Sequence, residues 1–132
     1  MNIADLTITP FYIGVNAILL LALSYSVIRI RVRKRITIGD SGDLALQRRI
    51  RAHANYAEHM PVVLLLLGAL ELLGANGTAL WIIGGIVTVG RVLHATGLGA
   101  NEGASFGRMF GHGMTLLFLL LGGGWCIYLS LA

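Results

Sequence analysis

Charge is scarce in this sequence. Of 132 residues only 12% are Asp, Glu, Lys or Arg, whereas 56% are hydrophobic, and mean hydropathy is +0.79. A water-soluble domain carries about twice that charged share. So short a chain exposes most of its residues and here lacks the polar side chains to cover that surface. A soluble globule is therefore excluded, and lipid must solvate much of the chain. Cysteine is nearly absent: Cys126 stands alone, so the fold cannot depend on an internal disulfide. No Lys or Arg precedes the first apolar run and positive charge follows it. That run is expected to stay in the membrane, amino terminus outward, and not to be cleaved as a signal peptide.

The net charge is +4. Arg29, Arg31, Arg33, Lys34, Arg35, Arg48, Arg49 and Arg51 lie in or beside one segment between two apolar runs. That is the pattern of a cytoplasmic loop, and it requires no nucleic acid. The expected fold is an all-α membrane protein, a single four-transmembrane-helix bundle with both termini on the outer side. Its helices should cover about 8–31, 44–73, 78–98 and 106–131. Ser41 or Asp43 is suited to cap the second helix. Pro61 should kink that helix unless its neighbours satisfy the carbonyl it frees. Gly74-Ala75-Asn76-Gly77 makes a short turn between antiparallel helices, and Gly99 to Ser105 is expected to form the second cytoplasmic loop. Several of the 18 glycines fall in membrane segments, where small residues let helices approach within a subunit or between subunits.

Chemistry concentrates between Arg48 and Pro61. Arg48, Arg51, Asn55 and Glu58 recur every three or four residues, so on a helix they form one polar stripe, which is costly against lipid and should face protein or a wet cleft. Arg91 and His94 near the end of the third helix, Arg108 opening the fourth, and Arg29 and Arg31 reach the same depth by this topology. Several arginines with one carboxylate and one amide suit a small anionic ligand that also carries an amine. An arginine aimed at a bound thiol would favour the thiolate. His53 and His59 are six residues apart on different helix faces, with no Cys-containing or His-rich spacing nearby, so no metal site is expected. His112, one turn after Arg108, either lines the same cleft or is held by hydrogen bonds between helices.

The stretch Arg51-Ala52-His53-Ala54-Asn55-Tyr56-Ala57-Glu58-His59-Met60-Pro61, with Gly90-Arg91-Val92-Leu93-His94 and Arg108, resembles the MAPEG family of membrane-associated proteins in eicosanoid and glutathione metabolism. The resemblance covers most of the chain and looks like that of a bacterial member. It implies a homotrimer binding glutathione as co-substrate, between subunits near the cytosolic face of a bacterial inner membrane. Arg51, His53, Asn55 and Glu58 then look like glutathione-binding positions, with His59, Arg91 and His94 around them. Arg108 resembles the catalytic arginine that holds the thiolate, and Arg29 or Arg31 the arginine that grips a glutathione carboxylate. His59 and His94 depart from the eukaryotic members, which commonly have tyrosine or another residue there. Leu98 replaces a clamping tyrosine found in some of them.

The activity implied is that of a glutathione transferase, or a peroxidase, acting on a lipophilic small molecule from the bilayer. A non-catalytic binding or scaffold protein of the same fold is the alternative. A small multidrug-type transporter would need an ionisable group within the membrane, and the first segment has none between Ile8 and Ile28.

Overall fold

The computed structural model describes residues 6–97 in full, the backbone of 98–100, and residues 106–132. Four helices follow one another: α1 (Ile8–Lys34), α2 (Leu44–Leu72), α3 (Gly77–Ala100) and α4 (Phe106–Leu131). No strand occurs among the described residues. Over Ile8–Lys34, Gly77–Gly97 and Phe106–Leu131 the helices are long and apolar enough to cross a membrane. α2 misses that standard because its first half is charged, but it packs against all three others and completes the all-α membrane bundle. α1 runs to Lys34, three residues beyond its expected end at residue 31. The loop expected after Gly99 lies largely outside the described residues, and α3 runs on to Ala100.

The helix ends explain the connections. α1 closes with the Ile36 amide donating to the Arg31 carbonyl at 3.0 Å and the Arg35 amide donating to Val32. Arg35 itself is left-handed, at φ 57°. α2 closes in the same way on Leu70 and Glu71, with Gly74 at φ 77° in the left-handed position, where a missing Cβ removes the strain. Asp43, not Ser41, caps α2: its Oδ1 accepts from the Leu46 amide at 2.9 Å while Oδ2 pairs with the Lys34 ammonium. Asn76 caps α3 through the Ala79 amide at 3.0 Å. α2 remains one helix through Pro61, whose ring sits on an exposed face.

The start of α1 is closed from a distance. Glu71, in the last turn of α2, is buried and accepts the amides of Thr7 at 2.9 Å, Ile8 at 2.8 Å and Thr9 at 2.7 Å. A carboxylate there meets both the unsatisfied amides of a first turn and the positive end of its dipole. The core runs between α1, α2, α3 and α4 through Tyr12, Met60, Val63, Leu67, Leu80, Val87 and Phe118. Tyr12 fits because Gly84 faces it: a Cβ there would lie 2.3 Å from the ring.

Glu71→Ala should lower the stability of the detergent-solubilised protein by about 2 kcal/mol, with Glu71→Gln falling between; an unchanged thermal midpoint would remove the cap from this account. The Lys34 and Leu46 contacts hold the Asp43 carboxyl below its usual range. Its contribution is therefore present above the unfolded carboxylate value and is lost as pH falls through the lower folded value. Thermal scans between neutral pH and pH ~3 should show a smaller acid-side loss in Asp43→Asn than in the wild type.

Candidate functional site

The site is built where α3 and α4 touch backbone to backbone. A Cβ on Gly111 would come within 1.9 Å of the Gly90 carbonyl oxygen, so only glycine permits this crossing. The residues beside the contact are Arg91 and His112, with His94 one turn on. Their side chains gather at the junction with α2.

Arg91 is 1% exposed. Its Nη2 donates to Asn55 Oδ1 at 2.8 Å, and its guanidinium carbon stands 5.6 Å from the centre of the Tyr56 ring. Its Nε and Nη1 are buried without an acceptor. Tyr56 is in turn fixed from α1: its hydroxyl donates to Asn16 Oδ1 at 2.6 Å and lies 3.0 Å from the Asn16 carbonyl oxygen. The Asn16 amide donates to the Tyr12 carbonyl at 2.8 Å and to Thr88 Oγ1 at 3.2 Å. A chain of buried polar groups thus runs from α1 through α2 to the guanidinium.

Three imidazoles stand beside it in a row. The His59 and His112 rings meet edge to face at 5.3 Å, and His112 lies 5.7 Å from His94. His59 Nδ1 is 2.9 Å from the Asn55 carbonyl oxygen; a carbonyl only accepts, so that nitrogen carries the proton and Nε2 the lone pair of the neutral ring. Nδ1 of both His94 and His112 is buried without a partner.

Asn55, His94, Arg108, Met109, His112 and Gly113 line a cleft of about 420 Å³. Among the described residues its lining holds an arginine, two imidazoles and an amide and no carboxylate, and the Arg91 guanidinium is bound to the same Asn55. Taking a guanidinium out of water costs several kcal/mol unless an anion compensates it. The arrangement suits a bound carboxylate or thiolate.

The structure brings together Asn55, Arg91, His94 and Arg108, with His59 behind them, and adds His112. It places the other candidates elsewhere on the single chain. The α2 stripe straddles the edge of the bundle: Arg48 and Asn55 are half-buried, whereas Arg51 and Glu58 are exposed. His53 turns to α1, where Nε2 lies 3.0 Å from Ser24 Oγ. Arg31 is half-buried on the Ser24 face of α1, with Nη1 enclosed and without an acceptor. Arg29 lines a second cleft with Arg33 and Arg49. The side chain of Leu98 lies outside the described residues. Among the described residues no group of three or more His, Cys, Asp or Glu has the arrangement of a metal site.

Asn16 and Tyr56 escaped the sequence reading. A single amide in the charge-free run of α1 was the available signal for the first, and the tyrosine next to Asn55 for the second.

The MAPEG family profile matches residues 9–128 of the chain. The chain belongs to the MAPEG family. Within this family it is similar to the Inner membrane protein YecN of Escherichia coli strain K12, with 33% identity over 90 residues that cover 68% of this chain and 69% of that protein. The YecN of Escherichia coli O6:H1 matches to the same extent. No solved structure matches. The cleft, the Arg91–Asn55 pair and the glycine crossing all lie within the matched MAPEG region.

Tyr56→Phe keeps the ring under Arg91 but strips Asn16 Oδ1 of its donor. It should cost about 1–2 kcal/mol of stability, read as a lower thermal midpoint in detergent; a midpoint equal to wild type would show that the Asn16 contact does not hold Tyr56.

Proposed function

We propose that this MAPEG protein binds glutathione and activates its thiol for attack on a lipophilic electrophile, as a glutathione transferase. The observation that carries the reading is the buried guanidinium of Arg91, with two nitrogens lacking an acceptor, beside a cleft whose lining includes Arg108 and, among the described residues, no carboxylate. Such a cleft favours anions. A guanidinium near the thiol stabilises the thiolate and so lowers the pKa of the sulfur. Arg108 is the catalytic group, holding the thiolate, while Asn55, Arg91 and His94 orient the tripeptide. The thiol proton leaves to water or to the His112 imidazole in the same cleft. Peroxidase activity would use the same thiolate.

The lipophilic partner has a route from the bilayer. A groove of about 210 Å³, almost wholly apolar, opens between α3 and α4 and is lined by Ile83, Met114, Leu117, Phe118, Leu121 and Trp125, among others. The same two helices carry His94 and Arg108.

The site extends across a subunit boundary. Arg51 and Glu58, seven residues apart on one face of α2, point away from the bundle, and a charged pair is costly against lipid. A second copy packed on that face would turn the pair into the wall of a shared cleft, where Arg51 meets a glutathione carboxylate and Glu58 its ammonium. A homotrimer is the assembly this reading adopts. The basic end of α1 and α2 faces the cytoplasm by the charge rule, and the likeness to an inner membrane protein of E. coli supports the bacterial inner membrane as its location.

The test is calorimetric titration of glutathione into the detergent-purified protein, with the ultraviolet thiolate absorbance of the bound tripeptide followed near neutral pH. Wild type should bind and show the thiolate band. Arg108→Ala should lose the band while still binding. Arg51→Ala should weaken binding about 10–100-fold, the value of a charge-assisted pair, with the oligomer unchanged. Absence of binding in the folded wild type would leave a non-catalytic scaffold of the same fold.

A further inference from the structure

The cleft between α1 and α2 shares no residue with the site above. Tyr25, Ser26, Arg29, Ile30, Arg33 and Arg49 line about 350 Å³. Arg29 and Arg33 stand one turn apart near the end of α1, and Arg49 enters from the second turn of α2. None of the three guanidinium groups has a hydrogen bond or ion pair among the described residues, and the nearby carboxylates are engaged. Asp43 pairs with Lys34 and caps α2, while Asp40 accepts the Gly42 amide at 2.9 Å. Glu58 lies about two and a half turns beyond Arg49 on α2, and Glu71 is committed to the start of α1. Three like charges held in one cleft repel one another unless an anion with several acceptor oxygens sits between them.

The wall of α1 leading into this cleft separates a lipid from a soluble anion. Ile18, Leu21 and Tyr25 are 69%, 69% and 63% exposed, and at spacings of three and four they continue onto Arg29 and Arg33 along one helix face. From the membrane outward this face presents aliphatic side chains, then a phenol, then guanidinium groups. A phospholipid presents hydrocarbon, ester and phosphate in the same order, and tyrosine characteristically sits at the middle level.

We propose that the Arg29, Arg33 and Arg49 cleft binds the phosphate of an anionic phospholipid whose acyl chains lie along Ile18, Leu21 and Tyr25. This assigns Arg29 to lipid and removes it from the glutathione set. It does not depend on glutathione binding elsewhere in the protein.

The experiment is native mass spectrometry of the full chain, delipidated in detergent and titrated with phosphatidylglycerol or phosphatidylcholine. Phosphatidylglycerol should give the dominant adduct. Arg33→Gln and Arg49→Gln should each weaken it about fivefold, and the pair about twenty-fivefold, as expected for interfacial arginines facing anionic lipid. Arg35→Gln, outside the cleft, should leave it unchanged. On the unsubstituted chain, phosphatidylglycerol should raise the thermal midpoint above that in phosphatidylcholine, which supports the site without relying on a variant that folds. Equal adducts or equal midpoints for the two lipids would overturn the proposal. So would an Arg35→Gln loss as large as that of Arg33→Gln, because basic charge in general would then suffice. Displacement of phosphatidylglycerol by millimolar inorganic phosphate or glutathione would also overturn it, marking a site for soluble anions.

Discussion

The guanidinium of Arg91 lies within a lipid-solvated bundle and must be kept there without a carboxylate in contact among the described residues. Each helix around it contributes to that constraint. Asn55 on α2 accepts one of its N–H groups, and the face of the Tyr56 ring takes part of its charge. Asn16 on α1 fixes the tyrosine. Gly90 and Gly111 allow α4 close enough to bring His112 and Arg108 to the same level. A larger residue at Gly111 would separate the helices and dissolve the cleft, since in lipid no hydrophobic force would press them back together.

Two kinds of cationic site follow from this arrangement. In the Arg91 site the guanidinium is buried beside an open cleft, polar on one side and near an apolar groove on the other, which suits a ligand that must meet a lipophilic molecule. The arginines of α1 and α2 lie at the rim, where the apolar face of α1 ends. The same residue type therefore stands in two different surroundings, aromatic rings and amides in one and the edge of the membrane in the other.

Hydropathy alone marks α1, α3 and α4, because each is a long run with few charges. It does not mark α2, whose polar stripe and family motif reveal it instead. The stripe was legible as a helical periodicity, but its division was not: Asn55 turns inward while Arg51 and Glu58 stay outside, and the packing of α3 and α4 decides that edge. Asp43 was readable as one of two caps because capping is local. Glu71 was not readable as the cap of α1, since its partners are more than sixty residues away and no local pattern encodes such a contact. Asn16 was obscured by the apolar run around it. His112 was correctly spaced from Arg108, but its meeting with His59 and His94 depends on the glycine crossing.

The Glu71 contact also bears on the order of assembly during synthesis. α1 and α2 are tied at both ends, by Glu71 at one and by Lys34 with Asp43 at the other, and all of these residues precede α3. The Asn16–Tyr56 bond lies within the same hairpin. None of these contacts needs a residue of α3, so the hairpin is able to close before the third helix joins it. Arg91, the most expensive group to carry into the membrane, then meets an amide and a ring that lie on one unit already joined by its own contacts.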